Sequence, residues 1–255
     1  MKLIMLGSGT STGVPRIGND WGDCDPNEPR NRRSRVSIIL ENDAKHKVLI
    51  DTSTDLRSQL LSNNIDKVDA VFWTHDHADH CHGIDDLRVM RYSRSNPLPG
   101  FASAKTCERL RRRFDYVFAG QFGYPTLIDL KNVDEIQLIA GFSFEHVEMP
   151  HGPVTSTGFR FDADGKSIVY ATDFSEITPQ MVNCFRGTDI LVVDCLRKRS
   201  HPTHANLEMA IELSRKCKAR KTILTHMDSS LDYRTLCEEI PATVTVGYDG
   251  LEVTA

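Results

Sequence analysis

Apolar runs and polar interruptions alternate along nearly the whole of this 255-residue chain. Short apolar runs such as KLIML and VDAVFW predict buried strands. Runs with leucines at helical spacing, such as STDLRSQLLSNN, predict helices, and in this one Ser53 or Thr54 is the predicted N-cap. The pattern therefore predicts a protein in which strands alternate with helices and no low-complexity tract divides the chain.

The predicted elements follow the same order in both halves of the chain, with strands first and helices afterwards. RVSIILEN and HKVLIDTS predict strands in the first half, and SFEHVEMPH, STGFRFDA and KSIVYATD predict strands in the second. DADG at 162–165 predicts a hairpin turn, and the C-terminal VTVGYDGLEVTA predicts a closing strand pair. We therefore predict an αββα sandwich, two β-sheets packed face to face with helices outside, in a single domain over residues 1–255.

Composition narrows the class of protein. Hydrophobic residues make up 40% and charged residues 26%, a globular composition, and no apolar run approaches the ~20 residues of a membrane span. The N-terminus lacks the apolar core of a signal peptide, so a cytoplasmic protein without a membrane partner is expected. The seven cysteines form no CxxC pair, which favours reduced thiols. A net charge of −4 argues against a stable nucleic-acid partner.

The segment FWTHDHADHCHG, residues 72–83, concentrates metal-binding side chains. His75 and His77 end a predicted strand and project to the same side of an extended backbone. Asp79 and His80 follow where the chain turns into a helix. Imidazole and carboxylate groups are ligands for Zn²⁺ and are acceptable to Mn²⁺. Four converging donors would be costly to desolvate without a cation, so the segment predicts a metal site.

Three further candidate ligands follow predicted strands later in the chain. His151 ends VEMPH, Asp173 ends IVYATD and His226 ends TILTH. Each lies at the same end of its strand as the histidine cluster, where rigid elements can bring distant ligands together. We therefore expect all three to join the cluster.

In this order, these motifs resemble those of the metallo-β-lactamase superfamily over nearly the whole chain. The resemblance implies that fold and two divalent metal ions, Zn²⁺ or Mn²⁺, sharing a water that is ionised near neutral pH and attacks an ester. Asp79 is also expected to act in catalysis. A bridging aspartate is expected in hydrolytic members, whereas lactam-cleaving members use a cysteine, so lactam hydrolysis is not expected. The implied ligands are His75, His77 and His151 for one metal, Asp79, His80 and His226 for the other, and Asp173 for both.

RSHPTHANLEMAI at 199–211 resembles the H-x-(S/T/N)-x-x-E-A motif of the phosphodiesterase branch of this superfamily. The resemblance implies that His204 is catalytic, either as a general acid toward the leaving oxygen or as a stabiliser of developing charge. His201 is the alternative, ranked lower because it lies farther from the helix start. A surface histidine that only caps the helix is the structural alternative.

Positive charge is confined to short runs, of which PRNRRSR at 29–35 resembles the arginine-containing stretch of phosphodiesterase members. Any of its four arginines could bind a phosphate in the bidentate manner of guanidinium, and we retain Arg33 and Arg35 as substrate-binding candidates. RLRRR at 109–113 falls within a helical pattern and is interpreted as a solvated face.

Within that branch the chain looks most like the phosphoribosyl cyclic phosphodiesterase group. Better-known members of that group bind a structural zinc through several N-terminal cysteines, and because only Cys24 is present here, that zinc is not expected. The expected function is therefore a di-metal phosphodiesterase that hydrolyses a cyclic sugar phosphate or a nucleotide by metal-bound hydroxide attack. The alternatives are a tRNA 3′-processing endonuclease, a thioesterase of the glyoxalase II kind and a non-catalytic metal or nucleotide sensor. Family members are often dimers, so a homodimer is left open.

Overall fold

The computed structural model describes residues 1–120 and 123–255, and within them the strands form two sheets. The first sheet has the spatial order β14-β1-β2-β3-β4-β5-β6. Its strands are β1 (Lys2–Gly7), β2 (Ser37–Glu41), β3 (Lys47–Ile50), β4 (Ala70–Phe72), β5 (Leu98–Ala102), β6 (Ile128–Asn132) and β14 (Glu252–Thr254). The second sheet has the order β13-β12-β11-β10-β9-β8-β7. Its strands are β7 (Leu138–Ile139), β8 (Phe142–His151), β9 (Val154–Ala163), β10 (Lys166–Ala171), β11 (Ile190–Asp194), β12 (Lys221–Thr225) and β13 (Val244–Val246).

Helices cover the outer faces of both sheets. The described α-helices are α1 (Leu56–Ser62), α2 (Ala78–Cys81), α3 (Arg88–Tyr92), α4 (Ala104–Arg113), α5 (Asp115–Ala119), α6 (Pro179–Cys184), α7 (Leu207–Cys217) and α8 (Tyr233–Glu239). Short 3₁₀ helices span Pro29–Asn31, Ile84–Leu87 and Val133–Glu135. None of the helices in the described part of the chain has the length and apolar character needed to cross a membrane.

Both sheets share one design, antiparallel on one side and parallel on the other. Strands β1, β2 and β3 pair antiparallel, whereas β3, β4, β5 and β6 pair parallel. In the second sheet β8, β9 and β10 pair antiparallel, whereas β10, β11, β12 and β13 pair parallel. Because the carboxyl ends of parallel strands share one edge, each sheet presents a row of strand ends where ligands can be placed.

The two sheets pack face to face through an aromatic core. The Phe161 ring on β9 contacts the rings of Phe72 on β4 and Phe159 on its own strand, with centroids 5.0 and 5.9 Å apart. Separate apolar clusters lie between each sheet and its helices, with Trp73 and Leu110 in the first and Val193 and Leu213 in the second. The predicted αββα sandwich is therefore confirmed.

Two local predictions need correction. The C-terminal strands do not form a pair, because β13 joins β12 in the second sheet while β14 joins β1 in the first. The segment that includes Gly247 crosses between the sheets there, and a Cβ on Gly247 would lie 2.3 Å from the Leu224 carbonyl oxygen. Helix α1 begins at Leu56, with Asp55 as its N-cap, so neither Ser53 nor Thr54 caps it.

The DADG turn does have the predicted hairpin form. Asp164 and Gly165 have φ values of 55° and 69°, the left-handed conformation of a type I′ turn. The turn fixes the register of β9 against β10, in which Lys166 lies opposite Ala163.

We expect Phe161→Ala to lower the free energy of unfolding by about 3–5 kcal/mol, because it removes a buried ring from the interface between the sheets. Equilibrium urea denaturation measures the loss, and Phe161→Leu, which leaves a smaller cavity, should lose less. Leu138→Ala is the control, since that side chain is 65% exposed and should change stability by at most ~0.5 kcal/mol. Equal losses for Phe161→Ala and Leu138→Ala would contradict the proposed core.

Candidate metal centre

The candidate site lies between the two rows of strand ends. His75 follows β4 in the first sheet, whereas Asp173 follows β10 and His226 follows β12 in the second. Asp173 and His226 have φ values of 61° and 60°, a left-handed conformation that non-glycine residues adopt infrequently. This backbone strain recurs at Asp51, after β3, where φ is 62°. Three strands thus end in the same sharp turn at the edge of the site, a pattern associated with functional positions.

The Asp173 carboxylate is the centre of this arrangement, and its two oxygens face different donors. Oδ2 lies 3.6 Å from His75 Nε2 and 3.5 Å from His151 Nε2. Oδ1 lies 3.4 Å from His80 Nε2 and 3.5 Å from His226 Nε2. Each carboxylate oxygen therefore faces its own pair of histidines. This arrangement is the one expected of a carboxylate that bridges two cations.

The remaining predicted ligands complete two donor sets around Asp173. His77 Nδ1 lies 3.3 Å from His151 Nε2. Asp79 Oδ2 lies 3.5 Å from both His80 Nε2 and His226 Nε2. The first donor set comprises His75, His77 and His151, and the second donor set comprises Asp79, His80 and His226; within each set, ligand atoms lie within 4.8 Å of one another.

The distances and the unpaired nitrogens fit metal ions better than internal hydrogen bonds. Most of these separations exceed the 2.7–3.2 Å usual for N–H···O bonds, whereas donors around one tetrahedral Zn²⁺ lie roughly 3.3–3.6 Å apart, given metal–ligand distances of about 2.0–2.2 Å. The Nε2 atoms of His75, His80 and His226 are buried and have no hydrogen-bond partner among the described residues. The donor set therefore fits two divalent cations.

Carboxylate and carbonyl groups behind the histidines fix which nitrogen faces the centre. His80 Nδ1 lies 2.7 Å from Asp51 Oδ2, and Thr74 also donates to that carboxylate. His151 Nδ1 donates to the Thr203 carbonyl oxygen at 2.7 Å. Such contacts hold the imidazole ring and leave Nε2 for the metal. Sequence reasoning missed Asp51, although its position at the end of LID, directly after a strand, was a usable signal.

Asp194 was also missed, and it supports two histidines from the end of β11. Its Oδ2 lies 3.2 Å from His204 Nδ1, and its Oδ1 lies 3.5 Å from His226 Nδ1. Asp194 is fully buried. A carboxylate oxygen of Asp194 lies within 4.8 Å of the potential ligand atoms of Asp173, His204 and His226. These four residues form a third group that could hold a metal ion.

The field of these carboxylates favours positive charge in the pocket. Burial alone would lower the pKa of His226, but Asp173 and the neighbouring carboxylates raise it to about 10. The pKa of His80 is raised in the same way, against the effect of burial, by Asp173 and Asp79. Burial would raise the pKa of Asp173, yet the histidines hold it well below its usual range. A divalent cation supplies the same compensating charge while the imidazoles stay neutral.

A cavity of about 150 Å³ opens onto the donors and gives access to the centre. Asp79 and His204 line it together with Ser11 and Thr203, and the His204 side chain is 14% exposed. The His204 ring stacks on that of His226 with centroids 4.8 Å apart. His201 lies one ring farther out, 5.2 Å from the His204 centroid, and is not among the residues that line the cavity. The structure thus brings His204, and not His201, to the site.

The two arginines predicted to bind substrate do not reach this cavity. Arg33 is 1% exposed, and its guanidinium donates to the carbonyl oxygens of Asp228 and Leu231 at 3.1 and 2.6 Å. Arg35 is bound to Asp55, at 3.0 Å, and to the Ser11 carbonyl oxygen. The prediction for Arg33 is therefore corrected to a structural role, because a charge run does not reveal which guanidinium turns inward. Arg35 supports the loop that carries Ser11.

Comparisons with known proteins agree with this fold. A family model described as a beta-lactamase superfamily domain matches residues 46–227. The chain is 33% identical to an octanoyltransferase of Porphyromonas gingivalis (strain ATCC BAA-308 / W83) over 99% of this chain and 51% of that protein. It therefore spans about half the length of this curated relative.

Two solved structures are similar over almost the whole chain. The first is a crystal structure of a new diphosphatase from the PhnP family, to which this chain is 37% identical in sequence. The two structures superpose with a TM-score of 0.89 over 99% of this chain and 96% of that chain. Zn²⁺-bound PqqB from Methylobacterium extorquens has a TM-score of 0.80 over 100% of both chains, and at 18% identity it shows the shared fold.

We expect Asp51→Asn to weaken metal binding about 10–100-fold, because the substitution removes the charge that orients His80. Asparagine tolerates the positive φ at this position, so the backbone should be retained. Competition of the metal-free protein with a chromophoric Zn²⁺ chelator measures the affinity. Asp69→Asn is the control, since Asp69 accepts a hydrogen bond from the Lys47 amide at the opposite end of β3. Unchanged affinity in Asp51→Asn would contradict the supporting role.

Proposed function

Because the chain belongs to the beta-lactamase superfamily, we propose that it is a di-metal phosphodiesterase that hydrolyses a small phosphodiester, a cyclic sugar phosphate or a nucleotide. The observation that carries the proposal is the Asp173 carboxylate, which turns one oxygen to each donor set. The 37% identity to a PhnP-family diphosphatase supports chemistry at phosphorus.

Different residues of the chain have different roles in the proposed reaction. The first donor set would hold one cation and the second donor set the other, with Asp173 shared between them. Zn²⁺ or Mn²⁺ bound by these residues would supply an activated water and would neutralise the charge that develops on phosphate oxygens. Asp79 contributes both as a ligand and as a carboxylate on the cavity wall beside the reacting group.

His204 is placed to assist the leaving oxygen. Its Nδ1 is held by Asp194 Oδ2, which orients the ring. That contact leaves Nε2 as the nitrogen able to give a proton to the departing alkoxide. Asp194 is thus a positioning residue for His204.

The alternatives receive less support from these features. A net charge of −4 does not favour tRNA as the substrate. The octanoyltransferase name belongs to a relative about twice as long as this chain, so the name alone does not assign that activity to the part that aligns here.

We expect the metal-loaded protein to hydrolyse at least one phosphodiester in a screen of cyclic nucleotides, bis-p-nitrophenyl phosphate and a nucleotide with a diphosphate linkage. Protein stripped of metal and then supplied with Zn²⁺ or Mn²⁺ is assayed by phosphate-ester product formation. S-lactoylglutathione serves as the thioester comparison. Turnover of the thioester alone would reassign the protein to the thioesterases, and inertness toward every substrate would favour a sensor.

We expect His204→Asn to lower kcat by about 10²–10⁴-fold, because the substitution removes the proposed proton donor. The metal content should be unchanged, because His204 belongs to neither donor set. Steady-state kinetics and metal analysis of the same preparations measure the two quantities. His201→Asn is the matched control, since this neighbouring histidine does not line the cavity. Loss of metal from His204→Asn would identify His204 as a ligand instead.

A further inference from the structure

Asp76 stands between the ligands His75 and His77, but its carboxylate binds helix α4 and not the metal centre. Arg109 Nη1 lies 2.8 Å from Asp76 Oδ1, and Arg113 Nη2 lies 2.9 Å from Asp76 Oδ2. The Asp76 side chain is only 6% exposed. Each oxygen of this buried carboxylate thus has a guanidinium of its own.

The backbone of Asp76 is held from the same side. Its carbonyl oxygen accepts a hydrogen bond from Arg113 Nη1 and another from Cys81 Sγ, which lies 3.3 Å away. Cys81 ends helix α2, so these contacts close the segment of residues 75–81, which we call the ligand loop. The ligand loop carries four of the seven candidate metal ligands, and its second residue is anchored through both side chain and backbone.

Helix α4 is a firm support for the ligand loop because its other side is packed on the first sheet. Leu110 is buried in the apolar cluster between that sheet and its helices. The Ser103 side chain accepts a hydrogen bond from the Thr106 amide and caps the first turn. Arg109 and Arg113 are four residues apart and therefore lie on one face of the helix, the face turned to Asp76.

These contacts correct the interpretation of RLRRR at 109–113 as a solvated face. Arg109 and Arg113 bind the ligand loop, and Arg111 donates to the Leu130 carbonyl oxygen. Only Arg112 fits the expectation. It is exposed, and with the residues of 1–120 and 123–255 it forms neither a hydrogen bond nor an ion pair.

We propose that Arg109 and Arg113 are positioning residues for the first donor set. Through Asp76 they fix the backbone that carries His75 and His77, and metal ligands must be held to within about 0.5 Å to bind well. The inference rests on the two-metal centre of the proposed function, but its test measures metal binding and does not require hydrolysis of any substrate.

Charge and positioning predict opposite effects of removing these arginines. A guanidinium beside the centre repels a divalent cation, so its removal should raise the metal affinity if charge alone matters. Removal should lower the affinity if the arginines position ligands, because the loss of an outer support typically weakens metal binding by about 10–100-fold. The sign of the change therefore separates the two roles.

The test compares the wild type with the double variant that carries Arg109→Gln and Arg113→Gln. Competition of the Zn²⁺-loaded protein with a chromophoric chelator measures the affinity. We expect about tenfold weaker binding of one Zn²⁺ ion, the lower end of the range for a lost outer support. The visible spectrum of the Co²⁺-substituted protein should change as well, because it depends on the geometry of the ligands. Unchanged or higher Zn²⁺ affinity would overturn the proposal.

Two controls exclude other causes of a loss. Arg112→Gln removes the same charge from the same helix without touching Asp76, so the Zn²⁺ affinity should be unchanged or slightly higher. Ser103→Ala removes the cap of α4 and lowers stability without touching the ligand loop, so the affinity of the folded protein should be unchanged. A loss in either control equal to that of the double variant would reject the positioning role.

The single variants Arg109→Gln and Arg113→Gln provide the same test if the double variant does not fold. Each removes one guanidinium from Asp76, and each should weaken Zn²⁺ binding by part of the tenfold loss. Wild-type affinity in both single variants would overturn the proposal. A protein inert toward phosphodiesters would contradict the proposed function and leave this inference standing, whereas hydrolysis with unaltered Zn²⁺ affinity in the variants would reject only the inference.

Discussion

The rest of the site depends on the burial of one carboxylate, that of Asp173. A buried charge costs several kcal/mol unless positive charge or hydrogen bonds compensate it. Here the compensation comes from four imidazole rings, two facing each oxygen, at 3.4 to 3.6 Å. His75 and His80 follow β4 of the first sheet, whereas Asp173 and His226 follow strands of the second. This compensation therefore requires a fixed position of one sheet relative to the other. The phenylalanine core sets their separation, and a hydrogen bond from the Thr157 amide to the Thr74 carbonyl oxygen joins them beside the site.

This dependence couples stability to metal binding. Without a cation, the pocket must either protonate His80 and His226 or leave their Nε2 atoms and the carboxylates unpaired. A ligand that binds the folded chain and not the unfolded one stabilises the fold by mass action. The strained turns at Asp173 and His226 persist because the surrounding strands hold their backbone conformation. A cation bound by these residues would lower the free energy of that arrangement further.

The architecture and the convergence of the seven candidate ligands could be predicted from the sequence, because both leave periodic or positional signals. Strand periodicity followed by HDHADH marks a turn rich in ligands, and His151, Asp173 and His226 each follow an apolar run. Asp51 and Asp194 also end strands, but a single aspartate after a strand is common and carries no spacing signal. The prediction that Arg33 binds substrate was wrong, because its inward orientation depends on carbonyl groups about 200 positions away in the sequence. The separation of β13 from β14 likewise depends on their partners β12 and β1.

The charge balance of the site gives a reason for the position of helix α4, which carries Arg109, Arg112 and Arg113 next to this centre. Four carboxylates, those of Asp51, Asp79, Asp173 and Asp194, surround the donors, and two divalent cations would only neutralise them. A neutral centre in a chain of net charge −4 offers little long-range attraction to an anionic substrate. Asp76 binds Arg109 and Arg113 next to the ligand loop, so the arginines of α4 place positive charge beside the site. In the proposed function, the two cations would activate water, and the arginines of α4 would add the positive charge that attracts an anionic substrate.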